Sequence, residues 1–321
     1  MTRVRAALEA ARAATSIKQF KHWYPQYGGI FNEIRRINCT DEYNNYLTGE
    51  KNQSNINWLA GGDGYTVLTQ PLIDCILQHT SEYLKMSMTS AQVMLGIMPT
   101  IVALLGPSRD EIAMLANVGR RPLLALALAF ASPSAYFSRA FEYSDPAEIL
   151  SQAENRHKQW RPAQPMTQLL VSAGEYIVAA AACVNVINNT RQIDQWAITS
   201  LWSDSDFLPS FWLCLGALLH IFSCVFIPCA ASSYAGRIDV FRETKTFLVA
   251  AWWESSLTIL HLVFGTLIFS GMLFIGSKDA VSIVGRYIAG AAICRVILMY
   301  ELAGLRESLG MRGLGIKPLF Y

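Results

Sequence analysis

Two stretches without a single Asp, Glu, Lys or Arg dominate the chain, residues 207 to 236 and 255 to 277. About 20 apolar residues in a helix cover a hydrocarbon core of about 30 Å, so each run can cross a bilayer. In water such runs would need a core that a chain of 321 residues with little charge has no reason to build. Charged residues make up 16% of the chain against about 25% in soluble domains, and mean hydropathy is +0.27. An integral membrane protein follows, with the lipid bilayer as its first partner. Net charge is +2, so no basic footprint for nucleic acid is present.

Five runs read as spans: 86–106 with Pro99 inside it, 166–187, 208–231, 247–276 and 281–303. The last holds Arg286 and Arg295, yet Gly285, Gly290 and its alanines suit close helix packing in lipid. A sixth segment, 122–137, is short and is interrupted by Pro133, so it reads as re-entrant or interfacial. The expected fold is all-α: a polytopic helical bundle over 86–303, a small loop-rich N-terminal domain over 21–85, a basic amphipathic arm over 1–20 and a cytosolic tail over 304–321. Residues 1–20 are Ala- and Arg-rich and lack an apolar h-region, so they do not read as a secretory signal. Their Arg-rich character keeps a mitochondrial membrane as a minor alternative to the plasma membrane or the endomembrane system.

Lys and Arg collect on the cytosolic side of short loops. If 122–137 dips and the N-terminus is outside, Arg109, Arg120, Arg121, Arg139, Arg156, Lys158, Arg161, Arg237, Arg242, Lys245, Arg306, Arg312 and Lys317 are cytosolic. Only Arg191 and Lys278 then lie in outer loops. If the segment crosses, with the N-terminus inside, Arg109, Arg120 and Arg121 move outside and the asymmetry weakens. That six-span arrangement stays open, because it exports no N-terminal domain. Trp196, Trp202 and Trp212 at one boundary, and Trp252 and Trp253 at another, read as interfacial belts.

With the N-terminal domain outside, Cys39 and Cys75, the only cysteines in the polar part, are the expected disulfide. Asn38, Asn52 and Asn188 head Asn-x-Ser/Thr sequons and are weak candidates for N-glycosylation.

The stretches CILQHTSEYLKMSMTSAQVMLGIMPTIVALLGPSRDEIAML (75–115), RRPLLALALAFASPS (120–134) and FEYSDPAEIL (141–150) resemble a fungal family of uncharacterised multipass integral membrane proteins. The resemblance implies likeness from the first span to the last, and an ectodomain bearing cysteines and sequons. It implies no chemistry. Members often begin with a signal sequence, from which this chain departs.

No catalytic signature is found: Gly-x-Ser-x-Gly and His-Glu-x-x-His are both missing. GGDGY at 61–65 lacks the Gly-Lys-Ser/Thr of a phosphate loop and reads as a turn. Glu142, Asp145 and Glu148 are spaced three apart, but Pro146 favours a cap or turn. His220 and His261 are the span histidines and have no ligand spacing, so no metal and no cofactor is expected. Ionisable groups inside spans are costly and face the bundle interior with a partner. Glu175, Glu254, His261, Arg286 and Arg295 are those groups. Glu254 and His261, seven apart, share a helix face. Glu175 and Arg295, both near mid-depth, are the expected structural pair, with Glu254 and Glu301 as the next partners for Arg295. On these grounds the sequence reads as a non-enzymatic membrane protein with a small ectodomain, of sensor or scaffold type. The alternative is a transporter or proton-coupled protein using the polar set. No protein or small-molecule partner is identified.

Overall fold

The computed structural model describes residues 19–49, 54, 56–64, 66–133, 164–230 and 245–313, without the side chains of 225–230, 245–248, 250 and 306–313. Residues 1–18 of the basic arm, Asn52, residues 134–137 of the short apolar segment, the carboxylates at 142, 145 and 148, and the end of the tail lie outside the described residues. Ten α-helices are described: α1 Gly28–Ile37, α2 Thr40–Thr48, α3 Gln70–Gln78, α4 Glu82–Leu105, α5 Arg109–Asn117, α6 Pro122–Ala131, α7 Pro165–Trp196, α8 Leu208–Ala230, α9 Lys245–Ser270 and α10 Ser277–Gly313. A short antiparallel pair joins β1 (Ile198–Thr199) to β2 (Met272–Leu273), with Ile198 opposite Leu273.

The chain is mostly helical, and four helices are long and apolar enough to cross a membrane: Glu82–Leu105, Pro165–Trp196, Ala251–Ser270 and Ser277–Leu305. Helix α8 has 23 residues and carries no charged side chain; Leu208–Cys224 is apolar overall but includes Ser210, His220 and Ser223. Helix α6 starts with Pro122 at its first turn and ends at Ser132–Pro133. Its ten residues reach about 15 Å, half of a hydrocarbon core.

Several boundaries differ from the sequence reading. Helix α7 continues to Trp196, so residues 188–196 are helical rather than loop. Helix α9 stops at Ser270, and residues 272–273 turn into β2. Helix α10 continues past the apolar run to Gly313, through a segment that contains glycines but no proline. Residues 21–85 are less loop-like than their Gly and Asn content suggests. Helix α1 buries Phe31 and Ile34, three apart, and α3 buries Leu72, Ile73 and Ile76, so each carries one apolar face.

The chain divides into two compact units. The first comprises Met1–Pro99, Asn188–Phe211 and Phe264–Gly285. Its core joins Phe31 and Ile34 of α1, Tyr46 of α2, Leu72 and Ile76 of α3 and Met88 of α4 to Ile198 and Phe274. Phe274 sits at φ 63°, a left-handed backbone that a bulky residue rarely adopts. Its ring contacts those of Phe20, Trp23 and Phe31. Cys39 and Cys75 form the expected disulfide, with Cα atoms 5.9 Å apart.

The second unit comprises Thr100–Ile187, Trp212–Val263 and Arg286–Tyr321. Its apolar core joins Ile112 and Leu115 of α5, Leu124 and Leu128 of α6, Ala179 and Ala182 of α7, and Cys294 and Leu298 of α10. Gly290 lets α10 approach the end of α6, since a Cβ there would fall 2.7 Å from the Ala131 carbonyl oxygen.

Candidate functional site

Helix α8 carries Trp212, Gly216, His220 and Ser223 at intervals of four, four and three, which line up on one face. Helix α9 carries Glu254, Thr258 and His261 in the same way. The two faces meet antiparallel. Near one end the Ser223 hydroxyl donates to the Glu254 carboxylate. Near the other, the Trp212 indole stacks on the His261 imidazole, and Trp212 Nε1–H donates to the His261 carbonyl oxygen at 3.2 Å.

The end of α6 closes the column. His261 Nε2 donates to the carbonyl oxygen of Pro133 at 3.1 Å, which fixes the proton on that nitrogen. Gly216 makes this approach feasible, because a Cβ there would lie 1.6 Å from the Pro133 oxygen. His220 is fully buried between α6 and α9, with the Ser132 backbone and His261 facing its ring. His261 Nδ1 and Ser132 Oγ have no hydrogen-bond partner among the described residues, whereas the His220 ring meets the Ser132 backbone. Two buried polar atoms there therefore keep spare hydrogen-bonding capacity, which is uncommon in a packed interior.

Helix α5 supplies a cation. The Ser108–Glu111 capping box starts the helix, and Arg109, its first residue, is only 1% exposed. Its Nη1 lies 3.6 Å from Glu254, its Nε 3.7 Å from Asp110, and its Nη2 donates to Ser255 at 3.4 Å. Burial pushes the Asp110 carboxyl above its ordinary range; Arg109 opposes that shift and Glu111 adds to it.

The expected pair of Glu175 and Arg295 is not formed. Arg121 takes Glu175 at 2.6 Å and Glu301 at 2.5 Å, donates to Ser172, and lies over the Tyr176 ring. Arg295 instead pairs with Glu111 at 2.5 Å. Counting depth within spans overlooked partners from the connecting segment 107–121, which packs into the bundle. Arg286 donates to the Asn185 amide oxygen, and Asn185 donates to the Arg286 carbonyl.

Two further readings change. Trp212 is fully buried against His261, not an interfacial belt residue, whereas Trp252 and Trp253 are exposed. Arg109 is interior to its unit rather than a solvated loop charge. The Ser108–Glu111 capping box marks the start of a helix at Arg109, but a cap says nothing of whether that first residue is buried.

In the first unit, Asn38 is exposed. Asn188 is exposed too, but it lies inside α7, with Asn189 donating to the Ile283 carbonyl and Thr190 fully buried. Donor atoms of Cys39, Cys75 and His79 lie within 4.8 Å of one another. Both sulfurs are spent in the disulfide, and a thiolate, not a disulfide, binds metal.

No protein-family model, curated protein or solved structure matches the chain.

Proposed function

We propose that the protein is a proton-coupled membrane transporter whose working element is the column formed by Arg109, Glu254, Ser223, His220 and His261. The observation carrying this reading is the burial of Arg109, on α5, beside Glu254 of α9, a helix that with α8 also holds the buried His220 and His261. Intramembrane ionisable groups are expensive and mark ion or proton paths. A proton arriving on Glu254 cancels the charge facing Arg109 and leaves Asp110 as the carboxylate beside it; that coupling gives the unit two arrangements. His261 Nδ1, which has no partner among the described residues, supplies the next proton acceptor along the α8–α9 seam.

In this reading α4, α7, α8, α9 and α10 are five spans, α6 dips, and the N-terminal domain is outside the cytosol. The membrane is the plasma membrane or one of the endomembrane system. Membership of the fungal family rests on residues 75–115, 120–134 and 141–150 and belongs to the same proposal.

Proteoliposomes holding the full chain and an internal pH dye test the function. An imposed pH gradient should collapse faster than in protein-free vesicles, and Glu254→Gln, checked for unchanged helical content, should slow it to the protein-free rate. Flux equal to that of empty vesicles, or unaffected by Glu254→Gln, overturns the proposal. The second reading, a sensor or scaffold presenting a disulfide-stapled ectodomain, is favoured by the well-packed aromatic core around Phe274. It requires no flux and a partner that binds residues 21–85.

A further inference from the structure

Trp58 and Leu59 project from the surface of the first unit, 58% and 102% exposed. They occupy a single 3₁₀ turn, Trp58–Ala60, that is firmly built. The Asn57 side chain accepts from Ala60 N, and the Asn57 carbonyl accepts from Gly62 N and from the Gln70 side chain at 3.1 Å each. Gly61 closes the turn at φ 83°, and Ile56 anchors it in the interior. An apolar pair held out by this many bonds is presented to something.

Its neighbours say to what. Gln70, which holds the turn, follows Thr69, whose fully buried hydroxyl meets Ser203 Oγ at 2.6 Å and donates to Asp204 at 2.7 Å. The loop so gripped carries Leu201, Trp202 and Phe207, all exposed, and runs directly into α8 at Leu208. Aromatic residues at the entry of an apolar helix sit at the membrane–water boundary. Three adjoining bonds thus tie the Trp58–Leu59 turn to the loop that leads into α8.

We propose that Trp58 and Leu59 form a foot that enters the headgroup–acyl boundary of the leaflet on the side of the N-terminal domain, continuous with Leu201, Trp202 and Phe207. The turn bears no charge, and an indole beside a leucine matches that boundary, apolar on one side and wet on the other. The proposal rests on reading α8 as a span, but not on which side the domain occupies.

The test places one nitroxide-bearing unnatural amino acid at Leu59, Leu218 or Asp63 of the full chain, in phosphatidylcholine nanodiscs. Collisions with oxygen, which concentrates in lipid, are compared with those of a water-soluble nickel chelate. Leu59 should resemble Leu218, on the exposed face of α8, with oxygen dominant and nickel several-fold weaker than at Asp63. Nickel dominance at Leu59 with oxygen dominance at Leu218 overturns the foot and leaves the span standing. Nickel dominance at Leu218 removes the span and the foot together. Poor access of both reagents to Leu59 means a protein surface covers it, and also defeats the lipid assignment.

Discussion

The rings of Trp212 and His261 lie flat on one another, centroids 5.1 Å apart and planes within 3°. The indole N–H is spent on the His261 carbonyl, so Trp212 fixes both the ring and the backbone of the residue it covers. Trp212→Ala should therefore lower stability by about 3 to 5 kcal/mol, the usual range for a large buried ring. Trp212→Phe keeps one stacking ring but removes the hydrogen bond and leaves a small cavity, so it should lose about 2 kcal/mol. Unfolding in mixed detergent micelles measures both; equal losses would show that the stack contributes nothing.

Arg121 holds two glutamates, one on α7 and one on α10. Arg121→Gln leaves them facing each other, and breaking such a partly buried pair from one side should cost about 3 kcal/mol. Adding Glu175→Gln should recover part of that loss. Arg295→Leu combined with Glu175→Leu should be additive, because the two do not meet. Arg295 and Glu111 should couple by under about 1 kcal/mol, because Arg295 is 38% exposed and solvent screens it. A double-mutant cycle that couples Glu175 to Arg295 more strongly than to Arg121 would contradict the observed pairing.

Asp110 gives a pH signature. Its folded-state pKa is raised by burial, so the folded protein binds the proton more tightly than the unfolded chain. The associated stability is complete below the unfolded value of about 3.9 and is lost as pH rises through the folded one. Asp110→Asn should thus be more stable than the parent at pH 7, with the advantage shrinking towards pH 4. Melting temperatures across that range check the sign; an advantage that grows on acidification reverses it.

Reducing the Cys39–Cys75 bond, which closes a loop of separation 36, should destabilise the first unit by about 3 to 4 kcal/mol on the chain-entropy model. Thiol reagents applied without reduction should miss both cysteines. Proteolysis of residues 21–85 with and without a phosphine reductant reads the loss.

Cysteine probes at Val118 and Gln164, which flank the short apolar segment, should react from the same side of sealed vesicles if α6 dips. Reaction from opposite faces would restore the six-span arrangement.

The long helices were legible because length and lack of charge suffice to identify them; α7 and α10 needed only their ends corrected. The disulfide was legible because Cys39 and Cys75 stand apart from the cysteines of the apolar runs. Helices α1–α3 were hidden by the Gly, Asn and Tyr around them, although Phe31 with Ile34 and Leu72 with Ile76 already carried helical spacing. Glu254 and His261 were visible as a shared face. Arg109 was not, since a charge next to a span looks the same in sequence whether it ends in water or folds back into the bundle. The partner of Arg295 was missed for the same reason: Glu111 also comes from a connection.

One oxygen of Glu111 has two duties. Its Oε2 accepts from the Ser108 backbone N–H at 2.9 Å, closing the cap of α5, and from Arg295 Nη1 at 2.5 Å, on α10. A slip of α10 by a single residue, about 1.5 Å along its axis, would pull that atom from one donor or the other. The two helices therefore meet at one oxygen that also caps α5, a soft link, because Arg295 is 38% exposed and solvent screens it. The first residue after that cap is Arg109, so the contact that joins α10 to α5 stands two residues along α5 from the one that places its guanidinium beside Glu254.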